Sequence, residues 1–87
     1  MSSSLRFTRQ AARQLASIPE RHRLRLLDRL KRLTDWPNHG QDVRPLKGEL
    51  EGFYRLRCGG YRALFTVLPG QRSVVVEKIG PRGPAYE

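Results

Sequence analysis

Phe53-Tyr54-Arg55-Leu56-Arg57-Cys58-Gly59-Gly60-Tyr61-Arg62 is the stretch whose reading decides the fold. Two strand-like runs flank a pair of glycines. A two-residue hairpin turn needs positive φ, which glycine adopts without steric cost, so the pattern predicts a tight antiparallel hairpin. The turn length also sets the register. Cys58 then opposes Tyr61, Arg57 opposes Arg62, Leu56 opposes Ala63 and Arg55 opposes Leu64. Opposed residues share a sheet face and faces alternate along a strand. Arg55, Arg57 and Arg62 therefore fall on one face. Tyr54, Leu56, Cys58, Tyr61, Ala63, Phe65 and Val67 fall on the other, which is the expected core side. Like charges set opposite one another are unfavourable, so the arginine face asks for an anionic partner.

Outward from the hairpin, Pro69-Gly70-Gln71-Arg72 reads as a turn and Ser73 to Ile79 as a β-branched strand. Gly80-Pro81-Arg82-Gly83-Pro84 breaks regular structure, and a short tail follows. On the N-terminal side, a loop from Trp36 to about Gly52 is anchored by Val43 and Leu46. Its length suggests a function. Before it, Leu5-Arg6-Phe7 reads as a first strand and Thr8 as the cap of a helix from Arg9 to about Ala16, with Ala12, Leu15 and Ala16 inward. Ser17 with Glu20 fits a capping box for a second helix running to about Thr34, with Pro19 in its first turn. Leu24, Leu26, Leu27, Leu30 and Leu33 mark that helix's apolar side. Arg23 falls among them, with a stem expected to snorkel outward. Asp28 is spaced to pair with Arg32. The result is a β-α-α-β-β-β order in one α+β domain over residues 1–87. A mainly antiparallel sheet carries two antiparallel helices on one face, and the arginine face is left open.

Eighty-seven residues make one small domain with a modest core. Lys plus Arg total 17 against 8 Asp plus Glu, a formal charge of +9, and 14 of the 17 are Arg. The guanidinium fork matches phosphate and carboxylate, so this charge points to nucleic acid or an acidic protein partner. A single cysteine, Cys58, excludes an internal disulfide and fits a reducing compartment. Residues 1–20 hold no apolar signal-peptide core, and no apolar run approaches ~20 residues, so the expectation is a cytoplasmic protein with no membrane association.

Arg55, Arg57 and Arg62 lead the candidates, as a clamp on phosphate or on a transition state gathering charge on phosphorus. Arg82 and Tyr86 follow the last strand, where Tyr86 can stack on a base of single-stranded RNA or simply end a frayed terminus. Arg44 and Lys47, in Arg44-Pro45-Leu46-Lys47-Gly48, read as RNA-binding groups or as ordinary loop charges. The stripe Arg21, Arg25, Arg29 and Arg32 reads as a solvated helix face. His22 and His39 lack companions at ligand spacing, so no metal or cofactor site is expected. Cys58 points to the core and is not a nucleophile. Trp36 is expected to cover one end of the core.

LRFTRQAARQL, IPERHRLRLLDRL, RPLKGELEGFYRLRCGGYRALFTV and VVVEKIGPRGPAY together resemble the RelE/ParE superfamily of bacterial toxins, over essentially the whole chain. The segment LKGELEGFYRLRCGGYRALF is closer to the RelE branch, which cuts mRNA on the ribosome, than to the ParE branch, which inhibits DNA gyrase. The resemblance implies a RelE-like fold and a cognate acidic antitoxin. It also implies a metal-independent endoribonuclease that blocks translation, with ribosome and mRNA as partners. It places Arg55, Arg57, Arg62, Arg82 and Tyr86 at the catalytic positions. The implied chemistry is attack of a ribose 2′-OH on the adjacent phosphate, leaving a 2′,3′-cyclic phosphate and a 5′-hydroxyl. Pro81 departs from the family, where many members carry histidine, and Gly83 and Pro84 replace a commonly charged pair. Arginine holds its proton too tightly to act as a base, which leaves the 2′-OH proton to Tyr86 or to substrate-assisted transfer. A ParE-like gyrase inhibitor and a catalytically weak antitoxin-binding member are the alternatives.

Overall fold

The computed structural model describes residues 4–37, 40 and 42–81. Along them run β1 (Ser4–Phe7), α1 (Arg9–Ala16), α2 (Glu20–Arg32), β2 (Val43–Pro45), β3 (Phe53–Cys58), β4 (Tyr61–Leu68) and β5 (Ser73–Pro81). The predicted hairpin forms in the predicted register, with Arg57 opposite Arg62 and Leu56 opposite Ala63. Gly59 alone of the two turn glycines takes a left-handed φ, +59°. This is the pattern of a turn that needs positive φ only at its first central residue.

The sheet order is β1-β5-β4-β3-β2. β1 lies parallel to β5 and every other pairing is antiparallel. The α+β class and the mainly antiparallel sheet are as expected, with one strand more than the sequence reading. β2 sits inside the segment read as a loop, pairing Val43 with Leu56, Arg44 with Arg55 and Pro45 with Tyr54. Three residues are too few to alternate legibly. Pro45 is tolerated because β2 is an edge strand.

Thr8 caps α1 as predicted. Its Oγ1 accepts a hydrogen bond from the Ala11 amide at 3.1 Å and donates to the Glu77 carbonyl at 2.9 Å. One hydroxyl thus caps the helix and ties it to β5. Thr8→Ala is expected to cost about 1–2 kcal/mol, read as a lower urea midpoint at unchanged slope; an unmoved midpoint would show that the tie is dispensable.

Four local expectations are corrected. Ala11, not Ala12 or Ala16, is the buried alanine of α1. The helix is rotated so that Gln14 Oε1 accepts the Ile79 amide at 2.7 Å, which fixes its face against β5. Ser17 ends α1, donating to the Gln14 carbonyl at 2.7 Å, and does not cap α2. Pro19 precedes α2 with no side-chain cap. Arg23 does not snorkel into solvent; its guanidinium donates to the Ile18 carbonyl at 3.1 Å and braces the interhelical turn. Leu24 is 56% exposed, so it belongs to the outer side of α2. The Asp28–Arg32 pair forms at 3.4 Å.

The core lies between the helices and one sheet face. Ala11, Leu26, Leu30 and Leu33 pack on Leu56, Ala63, Phe65, Val74, Val76 and Ile79, with Cys58 buried among them. At one end Trp36 meets Tyr54 and Phe65 edge-on, at ring-centroid distances of 4.8 and 5.7 Å, and Tyr54 stacks on Phe65 at 5.5 Å. Trp36 covers the end of the core as expected. No helix among the described residues is long and apolar enough to cross a membrane.

Candidate functional site

The face turned away from the helices is built by register. On β3, alternation sends Leu56 and Cys58 into the core, so Phe53, Arg55 and Arg57 point to the other side. β4 adds Arg62 and Leu64, directly opposite Arg57 and Leu64's partner Arg55. β2 adds Arg44, directly opposite Arg55. Four arginines therefore sit on three adjacent strands, about 4.8 Å from one strand to the next. The sequence places Arg44 in a loop; β2 makes it part of the same cluster as Arg55, Arg57 and Arg62.

The cluster is graded in depth. Arg44 is exposed and Arg55 and Arg57 are half-buried, whereas Arg62 is only 2% exposed. The expectation of a uniformly open face is corrected at this position. β4 is the central strand of five, so residues of β3 and β5 flank Arg62 on both sides. Asp42, at the mouth of β2, sets a carboxylate 4.0 Å from Arg57 Nε, and its carbonyl accepts the Arg57 amide at 3.1 Å. An acidic group thus stands at the rim of a basic cluster.

Lys47 is exposed in the turn after β2 and lies off the strands. Arg82 and Tyr86 lie outside the described residues. Among the described residues, no group of three or more His, Cys, Asp or Glu is placed to hold a metal ion.

β5 contributes a cation the sequence reading missed. Lys78 pairs with Leu64 and so shares the face with Arg55 and Arg44. The signal was hidden by an irregularity between Leu64 and Phe65, where β5 advances by an extra residue. Both Val76 and Ile79 are consequently buried, three apart, and simple alternation along β5 fails. Arg6 of β1 also faces this side, opposite Val75.

The comparisons with known proteins agree with this architecture. A model of the ParE toxin of type II toxin–antitoxin systems (parDE) matches residues 5–86. A chain of the RelBE2 toxin–antitoxin complex from Mycobacterium tuberculosis shares 28% identity and a TM-score of 0.82, covering 94% of this chain and 100% of that one. A chain of the RelE–RelB complex from Pyrococcus horikoshii OT3 shares 30% identity and a TM-score of 0.78, covering 98% and 100%. The isolated Escherichia coli RelE toxin, at 21% identity and a TM-score of 0.77 over 98% and 92%, shares the fold. No curated protein sequence matches the chain. The family model carries the ParE name while these solved structures are RelE proteins, and the two are branches of one superfamily. With 82 consecutive positions matched by the family model and near-complete overlap with RelE structures, the chain belongs to the ParE toxin family of the RelE/ParE superfamily and is a type II toxin of the RelE branch.

Proposed function

We propose that this toxin is a ribosome-dependent endoribonuclease that cuts mRNA and blocks translation, and that an acidic antitoxin silences it by covering the arginine face. The observation that carries the reading is the convergence of Arg44, Arg55, Arg57 and Arg62 on one sheet face, two pairs of them directly opposed. Such a surface is complementary to phosphate. It is most complementary when the phosphorus is five-coordinate and carries the most charge, which is where binding becomes catalysis.

In the reaction the 2′-oxygen bonds to phosphorus as its proton leaves. The bond from phosphorus to the 5′-oxygen breaks, and that oxygen takes up a proton as a hydroxyl. Arg55 and Arg57 hold the non-bridging oxygens by charge-assisted hydrogen bonds. Asp42 is a carboxylate at the rim of this cluster, 4.0 Å from Arg57 Nε, and in this reading it is the group that takes the 2′-OH proton. Tyr86 and substrate-assisted transfer are the other two routes for that proton. Arg82 and Tyr86 complete the set carried over from the family, and Lys47 adds a phosphate contact from the neighbouring turn.

The test is cleavage of mRNA on programmed ribosomes, mapped by primer extension. Wild-type protein is expected to give discrete cuts within the translated frame. Asp42→Asn is expected to slow them by about 10²–10⁴ while leaving binding intact. Absence of cuts with the wild type, together with inhibition of gyrase supercoiling, would replace this reading with a ParE-like one.

A further inference from the structure

The arginine face carries an aromatic ring and a lysine that neither the fold nor the proposed chemistry requires. Phe53 lies two residues before Arg55 on β3 and therefore on the same side. Phe53 is partly exposed, and it is not among the side chains packed on the core. In the register it opposes Thr66, which opposes Val75, which opposes Arg6. The neighbouring row runs Arg44, Arg55, Leu64 and Lys78 across four strands. Three strand spacings separate the ends of that row, about 14 Å, and the Phe53 row is displaced by two residues, about 7 Å. A flat aromatic surface thus lies beside a line of cations, with a further cation beyond it.

We infer that Phe53 and Lys78 extend the arginine cluster into a track for single-stranded RNA that crosses the strands, with phosphates along Arg44, Arg55 and Lys78 and a base stacked on Phe53. The inference rests on the endoribonuclease reading and adds the path and the stacking residue. Sheet faces that hold single-stranded RNA combine these two components, aromatic rings that stack bases and basic groups that follow the backbone. An apolar peptide anchor fits less well. The Phe53 row continues through Thr66 and Val75 to Arg6, and the row beside it carries Arg44, Arg55 and Lys78.

The track predicts separable effects on binding of a fluorescent single-stranded RNA 12-mer, measured by anisotropy over a salt series. Phe53→Leu keeps an apolar side chain but loses the ring, and should weaken binding roughly tenfold or more. Phe53→Trp should restore it. Lys78→Ala should weaken binding of every sequence alike and lower the salt slope by about 0.7. Both positions lie off the core, so melting temperatures should stay near wild type and provide the check on folding. If the wild type cleaves mRNA on the ribosome but Phe53→Leu and Lys78→Ala bind and cleave as it does, the track is wrong while the endoribonuclease reading stands. If the wild type neither binds the oligonucleotide nor cleaves, that reading fails first and takes the track with it. Loss of antitoxin capture by Phe53→Leu with RNA binding unchanged would make the ring a protein anchor and overturn the inference.

Discussion

Arg62→Ala is expected to abolish growth arrest in cells expressing the toxin without an antitoxin, and to lower the cleavage rate on the ribosome by about 10²–10³. Depth is the reason. Arg62 is 2% exposed beneath a cluster whose other members reach solvent. An exposed cation acts through water and is screened by salt, whereas a buried one is screened much less. In surroundings of lower effective dielectric than water, the attraction of such a charge for an anion is correspondingly stronger. A phosphate held over Arg55 and Arg57 feels that field more strongly as its charge grows. Arg62→Lys separates charge from shape, because lysine keeps the cation and loses the planar fork; partial activity is expected. Arg25→Ala, on the outer side of α2, serves as the control and should leave growth arrest in place. The substitution at Arg62 also removes a buried stem, so circular dichroism must show that the variant is folded. A folded Arg62→Ala protein with undiminished toxicity would remove Arg62 from the site.

That depth was not legible in the sequence, and the reason is topological. The hairpin could be read because two glycines fix the turn and the turn fixes the register, all within ten residues. Whether Arg62 is on the surface depends on which strand is central. That is decided by β1 pairing in parallel with β5, between residues about 70 positions apart. The same kind of distance hid β2. Val43-Arg44-Pro45 has no pattern of its own and becomes a strand only because β3 offers it an edge. The phase of α1 is one residue away from what its apolar spacing suggests, because alanine suits either side of a helix. The choice was made by Gln14 reaching the Ile79 amide. Thr8 and the Asp28–Arg32 pair were legible because each involves partners three or four residues apart. Within the site, then, the arginines on the hairpin were readable from local register. The members contributed by other strands, Arg44 and Lys78, needed the assembled sheet.

Phe65→Ala is expected to be the most destabilising single change in the core, at about 3–5 kcal/mol. Phe65 is fully buried on the central strand, and it touches both Trp36 and Tyr54. Truncation therefore opens a cavity beneath two rings and removes two aromatic contacts, each of which contributes about 0.5–1.5 kcal/mol beyond area burial. Small domains have ~5–15 kcal/mol of stability in total, and a chain of this length sits toward the lower end. Each kcal/mol lost shifts the melting temperature by roughly 4–8 °C, so the variant should be largely unfolded at temperatures where the wild type is native. Phe65→Leu fills much of the space and should retain a cooperative transition. The two losses of toxicity then have different causes. Arg62→Ala leaves a folded protein that lacks one cation of the cluster. Phe65→Ala leaves an unstable one whose folded population a partner that binds only the native state should restore. Co-expression with the antitoxin should raise the soluble yield of Phe65→Ala strongly and that of Arg62→Ala little. A Phe65→Ala midpoint within about 1 kcal/mol of wild type would mean that the aromatic group is peripheral, and that the leucines of α2 carry the core without it.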